Sequence, residues 1–94
     1  MEFNEQQAET VSEILKSIAH PTRMKILCFL MEGEKNVTEI EQQFGSTISN
    51  ISQHLTVLRK AGIIARRKES NFMYYSLKDQ GIQKFMETLK NTFC

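Results

Sequence analysis

The stretch that decides the fold is Val37-Thr38-Glu39-Ile40-Glu41-Gln42-Gln43-Phe44-Gly45-Ser46-Thr47-Ile48-Ser49-Asn50-Ile51-Ser52-Gln53-His54-Leu55-Thr56-Val57-Leu58-Arg59-Lys60-Ala61-Gly62. Val37, Ile40 and Phe44 recur at helical spacing, which predicts a short helix over 37–44, with Thr38 and Glu41 as its start signals. Gly45-Ser46 reads as the turn that joins two crossing helices, and Thr47 as the N-cap of the next one. In that next helix Ile48, Ile51, Leu55 and Leu58 are apolar, while Ser49, Asn50, Ser52, Gln53 and Thr56 are small or polar. Gly62 ends it. A helix with one apolar stripe and an opposite face of short amides and hydroxyls suits a surface that reads hydrogen-bonding groups.

On the N-terminal side, Val11, Ile14, Leu15 and Ile18 predict an amphipathic helix over about 4–18, stopped by His20-Pro21. Pro21 suits the first turn of a second helix, whose apolar face is Ile26, Leu27, Leu30 and Met31. Glu32 to Asn36 reads as a loop. On the C-terminal side, residues 63–68 and 72–77 have strand character and flank Glu69-Ser70-Asn71, a β-hairpin pattern. Asp79 begins a final helix striped with Ile82, Phe85, Met86, Leu89 and Phe93. The order α-α-α-α-β-β-α is that of a winged helix-turn-helix: mainly helical, with the hairpin as the wing.

Ninety-four residues with 40% apolar and 24% charged side chains make a single domain, 1–94. No apolar run approaches the roughly 20 residues of a membrane span, and the polar start Met1-Glu2-Phe3-Asn4-Glu5 is no signal peptide, so the expected location is the cytoplasm. The net charge of +1 hides an asymmetry: residues 1–15 hold a balance of −4, and residues 47–71 one of +4. A positive patch on a nearly neutral chain fits a compact binder of nucleic acid, because each neutralised phosphate releases counterions. The major groove admits one helix. Asn50 and Gln53 can pair bidentately with adenine, Ser49 and Ser52 can reach a base or phosphate, and an outward Ile48 can touch a thymine methyl. Thr47 opens this surface. Arg59 stands near its far end, where phosphate contact is expected, and Arg66, Arg67 and Lys68 of the wing can straddle phosphates or enter the minor groove. His54 fits either a backbone contact or helix packing.

The residues Ala19-His20-Pro21-Thr22-Arg23-Met24-Lys25-Ile26-Leu27, Ser49 through Ile64, and Tyr74-Tyr75-Ser76-Leu77 carry a resemblance to the ArsR family of bacterial repressors over nearly the whole chain. The resemblance implies a homodimer built by the first and last helices, bound to a palindromic operator and released by an inducer. The two long apolar stripes, more than a small monomer readily covers, agree with pairing.

Family members differ in the inducer site. The arsenic and cadmium types carry Cys-x-Cys at the third helix, where this chain has no cysteine. The zinc type uses Asp and His on the last helix. Here Asp79 is present, Gly81 stands two residues on, and residues 79–94 hold no histidine. No metal site and no cofactor are therefore expected. Two cysteines remain, Cys28 in the second helix and Cys94 after Phe93. They match the positions of the family's dithiol subgroup, which senses reactive sulfur species or oxidants. That match implies a disulfide or polysulfide link between Cys28 and Cys94 that weakens DNA binding. Such chemistry needs a thiolate, and Arg23 and Lys25 favour one at Cys28 only if they fold towards it. A metal-responsive repressor and an activator that displaces a silencing protein are the alternatives. An enzyme is not expected, since no base or oxyanion-forming motif accompanies either cysteine.

Overall fold

The computed structural model describes residues 1–45 and 48–94, without the side chains of 48 and 49. Helix α1 spans Glu5–Ile18 and opens on a capping box: the Asn4 side chain accepts from the Gln7 amide at 2.8 Å, and the Gln7 side chain accepts from the Asn4 amide at 3.0 Å. Helix α2 spans Pro21–Leu30, with proline at its start and the His20 ring nitrogen Nδ1 accepting from the Thr22 amide at 3.1 Å. A two-residue strand β1, Lys35–Asn36, leads into helix α3, Val37–Phe44.

Two expectations are corrected here. The segment read as loop up to Asn36 contains β1, which pairs antiparallel with the wing's second strand through Lys35↔Tyr75 and Asn36↔Tyr74. Helix α3 spans the expected residues, but its capping pair is Asn36 and Glu39, not Thr38 and Glu41. Asn36 accepts from the Glu39 amide at 2.8 Å, and the Glu39 carboxylate accepts from the Asn36 amide at 2.9 Å. Two overlapping capping patterns stand in the sequence, and the end of β1 selects the earlier one, because the chain turns helical as soon as its strand pairing ceases.

Gly45 closes α3 in the left-handed region, at φ 64°, which only glycine adopts without strain. Helix α4 spans Ile48–Lys60. It ends in a Schellman pattern: the Ile63 amide donates to the Leu58 carbonyl and the Gly62 amide to that of Arg59, with Gly62 at φ 78°. Strands β2 (Ile64–Glu69) and β3 (Phe72–Leu77) form the wing in the register Arg66↔Tyr75, Arg67↔Tyr74, Lys68↔Met73. The sheet order is β1-β3-β2. Helix α5 spans Gln80–Phe93, capped by the Asp79 carboxylate at 3.0 Å from the Ile82 amide.

The core joins Ile18, Ile26, Leu27, Leu30, Ile40, Ile51, Leu55, Leu58, Ile63, Ile64, Tyr75 and Met86. Every element except β1 contributes at least one of these residues, but α1 and α5 contribute least for their length. Of 14 residues each, α1 buries Ser17 and Ile18, and α5 buries Met86. Leu15 stays 45% exposed, Phe85 37% and Phe93 79%. The molecule is accordingly elongated, 45 × 28 × 22 Å. No helix among the described residues is long and apolar enough to cross a membrane.

Candidate nucleic-acid interface

Helix α4 is divided lengthwise. Ile51, Leu55 and Leu58, spaced one turn apart, are completely buried and fix the helix to α2, α3 and β2. Asn50 and Gln53 point to solvent, and Ser52, Thr56 and Arg59 are half-buried along the margins. The apolar stripe thereby determines that the amide-bearing face is outward. Thr47 lies outside the described residues, as do the side chains of Ile48 and Ser49. Val57, counted with neither face in the sequence, is 39% exposed.

His54 is half-buried and sits against His20, ring centroids 4.5 Å apart at 45°. Burial holds its pKa below the ordinary imidazole value, and the neighbouring charges of His20 and Arg23 add to the effect. The ring contact with His20 is the kind of helix packing expected of His54. The contact ties α4 to the N-cap of α2.

The three wing cations differ. Arg66 and Lys68 are exposed and make no ion pair among the described residues. Arg67 is held: its Nε and Nη2 donate to the two Glu34 oxygens at 2.9 and 2.6 Å, and Nη1 lies 3.2 Å from Glu69 Oε2. Its guanidinium also stands 4.8 Å from the centre of the Tyr74 ring. These hydrogen bonds raise its pKa above the ordinary arginine value. The sequence reading missed Glu34, which lies 33 residues from Arg67. Only the pairing of β1 with β3 brings the two together.

Cys28 is half-buried against the core, and Cys94 is exposed beyond the end of α5; both are free thiols. Arg23, one of the two cations considered for Cys28, donates from Nη1 to the Ser17 carbonyl at 2.8 Å and is committed to the end of α1. Lys25 is exposed. Among the described residues, no three His, Cys, Asp or Glu side chains are grouped as a metal site.

Comparison with known proteins agrees with this geometry. Residues 20–66 match the family described as "Bacterial regulatory protein, arsR family". The chain is 37% identical over 90 residues to the biofilm growth-associated repressor of Xylella fastidiosa, covering 96% of this chain and 79% of that one. It is 33% identical over 81 residues to the transcriptional activator HlyU of Vibrio cholerae, covering 86% and 75%. The solved structure of HlyU from Vibrio cholerae superposes with a TM-score of 0.90 at 31% identity, over 97% of this chain and 99% of that one. These relatives are transcriptional regulators, not enzymes, and their fold is this winged helix-turn-helix. The chain belongs to the ArsR family of bacterial transcriptional regulators.

Proposed function

We propose that this protein is a homodimeric repressor that binds a palindromic operator and is released when oxidation or persulfide chemistry links Cys28 to Cys94. The observation that carries the DNA-binding part is the division of α4: a fully buried Ile51/Leu55/Leu58 stripe behind an outward face bearing Asn50 and Gln53, next to the exposed wing cations. Asn50 and Gln53 read bases. Thr47, Ile48, Ser49 and Ser52 complete the reading surface on the strength of the sequence, and Arg59, Arg66 and Lys68 bind phosphates.

The exposed edges of α1 and α5 form the dimer interface. Two-fold symmetry then sets the α4 helices about 34 Å apart, in successive major grooves.

The thiol step balances as follows. The Cys28 thiolate attacks the outer sulfur of a low-molecular-weight persulfide and displaces a thiol, leaving a persulfide on Cys28. The Cys94 thiolate attacks the inner Cys28 sulfur and expels hydrogen sulfide, leaving a disulfide. One persulfide is thus reduced to a thiol and hydrogen sulfide as two protein thiols are oxidised. The link fixes α5, half of the dimer interface, to α2, and so alters the spacing between the two α4 helices.

A second reading, activation by displacing a silencing protein, is favoured by the likeness to a transcriptional activator. Selection of duplexes from a random-sequence pool by reduced protein tests the DNA-binding reading. The expected product is a two-fold symmetric site with half-sites about one helical turn apart. Enrichment of asymmetric or unrelated sequences contradicts it. A reporter assay on the selected site then separates repression from activation.

A further inference from the structure

Arg67 has all three guanidinium nitrogens engaged by carboxylates and a tyrosine ring beneath it. Glu34, its bidentate partner, stands between Gly33 and the start of β1, so it reaches the wing only because β1 adds to the sheet beside β3. The guanidinium lies between two carboxylates, Glu34 and Glu69, which gives this small cluster a net charge of −1 within an otherwise basic wing.

A phosphate approaching Arg67 has to displace a bidentate carboxylate. The exchange replaces charge-assisted hydrogen bonds with others of the same kind, and it leaves two carboxylates beside the incoming phosphate. It gains nothing.

We propose that Glu34 sets the affinity of the DNA-binding surface by withholding Arg67 from the phosphate backbone, so that the wing neutralises phosphates through Arg66 and Lys68 alone. This rests on the DNA-binding reading above. Phosphate contacts carry no sequence information, so one cation fewer on the backbone weakens binding to every sequence alike. Glu34 thus limits unspecific occupancy while the base contacts of α4 are untouched. It is a positioning residue that acts through Arg67.

The test is the salt dependence of binding to a labelled mixed-sequence DNA duplex about three helical turns long, measured for wild type, Glu34→Gln and the double variant Glu34→Gln/Arg67→Gln. A glutamine at 34 keeps the shape and removes the charge, freeing Arg67 for a phosphate. Each added phosphate contact steepens the log affinity against log salt slope by about 0.9. Glu34→Gln should therefore bind the duplex more tightly at low salt and lose about 3.5-fold more affinity than wild type on a fourfold rise in salt. The double variant has the wild-type net charge and should return to the wild-type slope.

The proposal is overturned if Glu34→Gln keeps the wild-type slope, or if the double variant keeps the steeper one. The second result would mean that the added phosphate contact is made without Arg67. A wild-type protein that fails to bind the duplex at low salt overturns the DNA-binding reading itself, an outcome distinct from both.

Discussion

Phe85 offers the most direct perturbation of the proposed dimer. It lies on the outer edge of α5, beside the half-buried Ile82 and Leu89, and is 37% exposed. An aromatic side chain of about 200 Å² that is exposed to this extent leaves roughly 75 Å² for a partner to cover. At about 25 cal/mol per Å² this amounts to about 2 kcal/mol in one protomer. An isologous interface uses the residue twice, so its full contribution to the pair is about 4 kcal/mol. Each 1.4 kcal/mol is tenfold in a dissociation constant. Phe85→Ala should therefore weaken dimerisation by about two to three orders of magnitude, a ceiling reached when the partner covers the whole exposed area. Sedimentation velocity over a dilution series reads the constant, and far-UV circular dichroism verifies that the helices persist. Operator affinity should fall in parallel, since a monomer engages only one half-site. A folded variant whose dissociation constant stays within tenfold of wild type would refute the assignment of α5 as interface.

Two further outcomes follow from the site. Gln53→Ala removes an outward amide without disturbing the buried stripe, so anisotropy titrations should show a loss of about 1–3 kcal/mol at the selected operator and no change on unrelated duplex. Equal losses on both would assign Gln53 to the backbone. His54 supplies a pH dependence. Its pKa is lowered in the fold, mainly by burial and further by the charges of His20 and Arg23, so the unfolded chain binds the proton more readily. Its contribution to stability is complete above the ordinary histidine value of about 6.5 and is lost as the pH falls from there through the lowered folded value. Thermal midpoints should decline over this interval in wild type and decline less in His54→Gln; identical pH profiles would show that His54 contributes nothing.

The helical part of the fold was legible because it is periodic. Ile51, Leu55 and Leu58 repeat at the helical spacing and are the buried residues of α4, and the outward amides follow from them by exclusion. The hairpin was legible from its two β-prone runs. β1 was not, because two residues show no period and Lys35 and Asn36 are polar; its existence depends on the edge that β3 presents. The same gap explains the misassigned capping pair of α3, where Asn36 with Glu39 and Thr38 with Glu41 both fit a capping box. It also explains Arg67, which is a plain cation in the sequence and becomes a neutralised one only when β1 brings Glu34 alongside. Charge counted along the chain thus overstated the wing by one cation. Cys28 and Cys94 were legible as positions, whereas the commitment of Arg23 to the Ser17 carbonyl appears only in three dimensions.

The central claim is that chemistry at two thiols controls DNA binding, and it is tested most directly by titrating the selected operator with reduced protein, with protein treated with cysteine persulfide, and with Cys28→Ser treated identically. A coupling free energy of the usual 1–3 kcal/mol predicts that treatment weakens wild-type binding by about 5- to 150-fold. Dithiothreitol should restore the affinity, and Cys28→Ser should bind equally before and after treatment. An unchanged affinity in treated wild-type protein whose intact mass shows the loss of two hydrogens, or an undiminished response in Cys28→Ser, would contradict the account.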